Sequence, residues 1–371
     1  YTALHLASRI DKVSIVKALL QAGANANAAT SSGGATPLHF AAGQGAAEVV
    51  AALIDGGAKV DSRDEAFGQT PLMWAAAANR VSALQVLVAK GADVKAVSKL
   101  EDIPAREKAD RAALQLRARR VAALKAAEQP PAVPVPAGGG RGGRGGEQTV
   151  VASRADSAAA ARAAAAGVPP AIGGTNGQQF QQQGQRGGAA GLSYGDLIGN
   201  KGGLTPLLFA VREGNVESVQ ALLKAGADIN QVSTGDHTSP LLMATINGQF
   251  DLAKMLLEKG GNAKLASDAG ATPLYAVINV QWAAKSLYPQ PTAQTQQKTT
   301  HLELMEALLK AGADPNARLS KHLWYMSYNF DLLGVNTVGA TPFWRAAYGL
   351  DVPAMKLLIS YKADPNIPTT K

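Results

Sequence analysis

Cysteine is missing from the 371 residues. That excludes disulfides, thiol nucleophiles and zinc sites built on thiolates. It leaves the compartment open, because proteins of oxidising compartments also do without cysteine. Long apolar runs are missing too. No stretch approaches about 18 apolar residues, so no segment is read as a membrane-spanning helix. Aromatic residues make up only 5%, too few for one bulky core. Histidine is scarce and scattered, at His5, His39, His237, His301 and His322. No HxxxH, G-x-S-x-G or Walker pattern occurs, and the glycine runs do not lie between a strand and a helix. Without a converging set of acid, base and nucleophile, no enzyme is expected. No catalytic, cofactor-binding or metal-binding residue is assigned.

What the chain does contain is alanine and order. Hydrophobic residues reach 46%, a composition that suits thin layers of small, closely packed helices. By length alone the chain would hold two or three globular domains, but internal repeats take precedence. The strings YTALHLA, ATPLHFA, QTPLMWA, LTPLLFA, TSPLLMA, ATPLYAV and ATPFWRA begin at residues 1, 35, 69, 204, 238, 271 and 340. Each leads into an apolar helical stretch and then a turn: QAGANAN, DGGAKVD, AKGADVK, KAGADIN, EKGGNAK, KAGADPN and SYKADPN. Thr2, Thr36 and Thr70 are 34 residues apart, as are Thr205 and Ser239, and Thr272 follows after 33.

This pattern resembles the ankyrin-repeat family, with its T-P-L-H opening and G-A-D-x-N close. The resemblance implies an all-α fold, a solenoid of about seven stacked helix pairs with short β-hairpin turns. Residues 1–98 would hold repeats one to three, the first one truncated, and residues 202–371 repeats four to seven. The residues make physical sense there. Thr36 suits the N-cap of the first helix, and Pro37 the N1 position, where its missing N–H is not needed. Leu38, Ala41 and Ala42 form one face. The second helix, Glu48 to Asp55, carries Val49, Val50, Leu53 and Ile54 at helical spacing. Gly23, Gly57, Gly91, Gly226 and Gly312 suit the left-handed position that ends it.

Some positions depart from the motif. Only His5 and His39 keep its histidine, which in the family links neighbouring turns. Met73, Leu208, Leu242, Tyr275 and Trp344 stand in the other repeats, where apolar packing is expected to substitute. Ala3 replaces proline, Lys362 replaces glycine, and neither end has a polar capping repeat. Tyr1 opens the chain inside a motif. A longer array and a preceding segment are therefore expected, and any signal peptide would lie in that segment.

Three insertions break the register. Between Ala92 and Thr205 about 101 residues are added, between Ala313 and Thr341 about 16, and inside the sixth repeat about 19. The large one, 99–201, divides into a charged helix over 101–128 and a Gly-, Ala-, Pro- and Gln-rich stretch over 129–191 that reads as a disordered linker. The smaller inserts lie at 281–300 and 318–338. Residues 99–200 carry 13 basic and 8 acidic side chains, or +5 of the chain's net +8. GGGRGGRGG at 138–146 invites a nucleic-acid reading. Only Arg141 and Arg144 are present there, with no alternating aromatic, so a flexible linker is the simpler account. Arg117, Arg119 and Arg120 are balanced by Glu101, Asp102, Glu107 and Asp110, which suits a solvated helix.

The reading is a non-catalytic protein–protein interaction scaffold, monomeric and without a cofactor. Carried over from the family, the concave face and its hairpin fingers would include Phe67, Gln69, Asn79, Arg80, Arg212, Glu213, Asn247, Asn279 and Tyr348. Residues 275–361 hold 11 of the 19 aromatics. Trp324, Tyr325, Tyr328 and Phe330 crowd one finger insert and extend the expected binding surface, since interfaces favour large aromatic side chains. The alternative is nucleic-acid binding through the basic, Arg/Gly-containing insertion. Resemblance to large bacterial ankyrin proteins with an export signal implies a periplasmic or secreted location, with the cytoplasm still open. The partner's identity is not legible.

Overall fold

The computed structural model describes residues 1–128, 194–282, 293–323 and 335–370. Seven helix pairs follow the seven motifs. They are α1 (Ala3–Arg9) with α2 (Val13–Gln21), α3 (Pro37–Gln44) with α4 (Ala47–Asp55), and α5 (Pro71–Ala77) with α6 (Val81–Ala89). After the large insertion the strand β1 (Leu100–Asp102), the helices α7 (Ile103–Glu128) and α8 (Tyr194–Ile198) and the strand β2 (Asn200–Gly202) precede α9 (Pro206–Glu213) with α10 (Val216–Lys224). Then come α11 (Pro240–Ile246) with α12 (Phe250–Glu258), α13 (Pro273–Gln281) with α14 (His301–Lys310), and α15 (Pro342–Tyr348) with α16 (Val352–Ser360).

Local chemistry starts and stops each helix. The hydroxyls of Thr70, Thr205, Ser239, Thr272 and Thr341 accept the N–H three residues on, and a proline follows each at N1. Gly23, Gly57, Gly91, Gly226, Gly260 and Gly312 take left-handed φ just past the second helix. Lys362 does the same work at φ 67°, a conformation that disfavours a side chain.

One helix of each pair packs on the same helix of the next. The first helices form an unbroken row, α1–α3–α5–α9–α11–α13–α15. Their buried leucines, Leu4, Leu38, Leu72, Leu207, Leu241 and Leu274, belong to one continuous core. No repeat buries both faces alone, so stacking supplies the stability. Repeats three and four stack directly, α5 on α9 and α6 on α10, although 109 positions separate Thr205 from Ala96 in the chain.

The insertion leaves and returns through a stem. β1 and β2 pair antiparallel, with Leu100 opposite Gly202 and Asp102 opposite Asn200. Glu101 bridges to Arg106 and to Lys201. α7 covers the expected charged helix. Its residues 109–124 are exposed on every side. The expected disordered stretch over 129–191 lies outside the described residues.

Candidate functional site

A ladder of fingers runs along the edge of the first-helix row. Each finger is closed by its own backbone, as Thr30 N–H to Ala35 O at 3.0 Å, Asp64 to Gln69 at 3.0 Å and Ser233 to Thr238 at 3.0 Å illustrate. Each also donates one N–H to the finger before it. Glu65 donates to Gly33, Lys99 to Phe67, Thr234 to Gly203, Asp268 to Asp236, Ser320 to Ala269 and Thr370 to Val338. These rungs pass through the bases of both finger insertions, so the ladder runs from the second repeat to residue 370. Tip glycines permit the approach. At Gly34 a Cβ would lie 2.8 Å from the Glu65 nitrogen, and at Gly270 2.5 Å from the Arg318 carbonyl oxygen.

Two histidines tie the ladder to the helices. His5 Nε2 meets Ala35 O at 3.1 Å, and His39 Nε2 meets Gln69 O at 3.0 Å. Burial holds both imidazoles below the usual histidine pKa, against the opposing pull of those carbonyls. In later repeats the substitutes pack under the fingers. Met73 joins Ala96 and Phe209, and Tyr275 joins Leu319, Leu323 and Ala340.

The positions carried over from the family fall into different surroundings. Phe67 stands at a fingertip, 62% exposed. The Gln69 carbonyl serves His39. Asn79 is left-handed at φ 53° and joins repeats three and four, donating to Glu217 and accepting from Ser218. Arg80 donates to Gly43 O at 3.1 Å. Arg212 lies 5.0 Å from the Phe209 ring centroid and pairs with Glu213. The Asn247 amide turns back to Met243 O. Asn279 is buried and accepts from Arg345 Nε at 2.9 Å. Tyr348 stacks on Trp344 at 5.1 Å. Trp324, Tyr325, Tyr328 and Phe330 lie outside the described residues.

Sequence reasoning missed a polar node between repeats six and seven. Asp351, 3% exposed, accepts the Trp282 indole N–H at 2.7 Å and meets His301 Nε2 at 2.9 Å. Arg345 donates to the Trp282 carbonyl at 2.8 Å. Burial works against the Asp351 carboxylate, but the Ala354 N–H, the indole and His301 outweigh it and hold its pKa low. Trp282 and His301 flank the sixth-repeat insert, so the node pins both its ends. No local signal marks these partners, which lie 69 and 50 residues apart.

Among the described residues no group of three metal-ligating side chains occurs, and no helix is long and apolar enough to cross a membrane. A groove of about 600 Å³ opens on the second-helix side, between repeats four and five. Its walls hold Lys224, Lys259 and Asp228 over Leu223 and Ile229, with no histidine or hydroxyl nucleophile.

Stacked helix pairs bearing a continuous row of fingers define a repeat protein. An ankyrin-repeat family profile of three copies matches residues 1–98 and 207–319. The chain belongs to the ankyrin-repeat family. It is 34% identical over 122 residues to the ANK repeat-containing protein nipk-1 of Caenorhabditis elegans, covering 32% of this chain and 18% of that protein. It is 32% identical over 117 residues to an ankyrin repeat protein of Rickettsia felis, covering 31% and 46%. The matched segments thus span less than half of these relatives. The ankyrin repeat domain of human ASB11 shares the fold, with TM-score 0.51 and 17% identity over 98% of this chain and all of that one.

Proposed function

We propose that the chain is a non-catalytic scaffold that holds a protein partner on its concave face, between the first helices and the fingers. Ankyrin repeats generally mediate protein–protein interaction. The observation that carries the reading is the finger ladder, which keeps its backbone rungs through both finger insertions. A surface held rigid in this way loses little entropy on binding. Residues 1–98 and 202–371 act together in this reading. Nucleic acid is the weaker reading, since GGGRGGRGG offers only Arg141 and Arg144 and α7 mixes acidic with basic side chains.

A photo-crosslinking side chain placed at Phe67, Arg212 or Asn247 should capture the partner. The same group at Glu48 or Lys356, on second helices, should not. Equal capture from both sides refutes the assignment. A steep loss of binding with added salt, retained by the isolated 99–201 insertion, would favour phosphate contacts instead.

A further inference from the structure

We propose that Asp64 organises a docking subsite on repeats two and three, built from Phe40, Phe67, Trp74 and Arg80, for a peptide segment that joins a large apolar side chain to a carboxylate. The proposal rests on the finger face being the binding surface and narrows it to one place.

The chain itself supplies the comparison. At the position that closes each finger, Thr30, Ser98 and Ser233 present a hydroxyl to the N–H of Ala35, Leu204 and Thr238, each at 3.0 Å. Closing a finger therefore needs one neutral acceptor. At the same position of the second finger stands a carboxylate, Asp64, only 4% exposed. A buried carboxylate is harder to desolvate than a hydroxyl, so its extra oxygen calls for a reason. Oδ1 does the finger's work, accepting the Gln69 N–H at 3.4 Å, and also takes the Phe67 N–H at 2.7 Å. Oδ2 accepts the indole N–H of Trp74 at 3.2 Å. One side chain thus aims both the fingertip phenylalanine and the indole on the helix below.

Their neighbours continue the arrangement. Trp74 meets Phe40 edge to face, with centroids 5.7 Å apart at 72°. Gly43 leaves room for the indole, because a Cβ there would lie 3.3 Å from Trp74 Cε3. Phe67 is fixed at both ends of its backbone, by Asp64 and by the Lys99 N–H at 2.8 Å. The result is a half-buried aromatic strip with an exposed phenylalanine above it. Rigid aromatics of this kind give contact area at low entropic loss.

Arg80 supplies the charge. Its stem lies across Gly45, where a Cβ would come within 2.9 Å of Arg80 Cδ, and its Nε donates to Gly43 O at 3.1 Å. No carboxylate pairs with Arg80 among the described residues. A guanidinium fixed by a neutral carbonyl beside an aromatic strip is complementary to a carboxylate that arrives with an apolar side chain.

The probe is a displayed library of random 12-residue peptides, about the length of an extended segment crossing several repeats, selected on the full chain. Retained sequences should be enriched in an aromatic or large aliphatic residue beside Asp or Glu. Asp64→Ser should bind them about tenfold more weakly with an unchanged denaturation midpoint, since serine already closes two other fingers. Trp74→Phe, which lacks the indole N–H, should do the same. Arg80→Ala should abolish the preference for acidic over matched neutral peptides. Absence of acidic enrichment, or unchanged binding by Asp64→Ser and Trp74→Phe, overturns the subsite. If the peptides then depend on Arg212 or Met243, the finger face stands and only this subsite falls. If no finger-face variant alters binding, both fall.

Discussion

Replacing His39 with leucine tests how the repeats are joined. The ring is fully buried. Its Nδ1 accepts the Thr36 N–H at 3.1 Å, and its Nε2 donates to Gln69 O at 3.0 Å. That pairing fixes the neutral ring with its proton on Nε2, because a proton on Nδ1 would oppose the Thr36 N–H. Leucine fills the space, as Leu208 and Leu242 do at the equivalent positions, but leaves a carbonyl and an N–H without these partners. The Thr36 N–H is orphaned at about 1–3 kcal/mol, whereas Gln69 O keeps the Asp64 N–H at 3.0 Å and loses one further bond worth about 0.5–1.5 kcal/mol. The apolar burial of leucine offsets about 1–2 kcal/mol, leaving a net loss of about 1.5 kcal/mol. Urea midpoints from far-UV circular dichroism measure it. The same variant carries a pH signature. Burial lowers the folded pKa of His39 and of His5, so the unfolded chain binds the proton more readily. Stability is full above the unfolded value of about 6.5. It falls as pH drops from there toward the lowered folded value, then stops falling. Wild type should therefore lose stability as pH falls below about 6.5, and the double variant His5→Leu, His39→Leu should lose markedly less. A midpoint within error of wild type, or an unchanged pH slope in the double variant, refutes the reasoning.

Three further outcomes are expected. Gly226→Ala should lower stability by about 1 kcal/mol, because φ is +88° there while the space is open, so a midpoint equal to wild type would deny the backbone argument. Asp251 accepts the N–H groups of Lys298 and Thr299 at 3.0 and 2.8 Å and so clamps the sixth-repeat insert onto repeat five. Asp251→Ala should speed hydrogen exchange at those two amides. Burial raises the Asp251 pKa, but the Lys298 N–H and the Thr299 hydroxyl and N–H outweigh it. The clamp is therefore full above the ordinary carboxylate range and is lost as pH falls through the lowered folded value. Replacing residues 103–199 by Asn-Gly should give a hairpin in register with the Asp102–Asn200 pair and shift the midpoint by less than about 1 kcal/mol; loss of helical signal would show that the insertion is needed for stacking.

Much of this protein was legible in one dimension. Thr36, Pro37 and Gly57 act on their own backbone within a few residues, so their types and spacing state the helix ends without knowledge of the fold. The stacking leucines recur because every repeat faces a copy of itself, which turns a tertiary contact into a sequence period. The tertiary structure decided the rest. Asp64 stands out only once the fold brings its second oxygen to Trp74. Asn279 reads as a groove residue until Arg345, 66 residues later, covers it. Asp351 caps the helix that follows it, and only packing adds Trp282 and His301 to the same carboxylate. A side chain's local role follows from neighbours the sequence lists in order. Its second partner comes from whichever repeat stacks against it, and that partner appears only once the helices are in place.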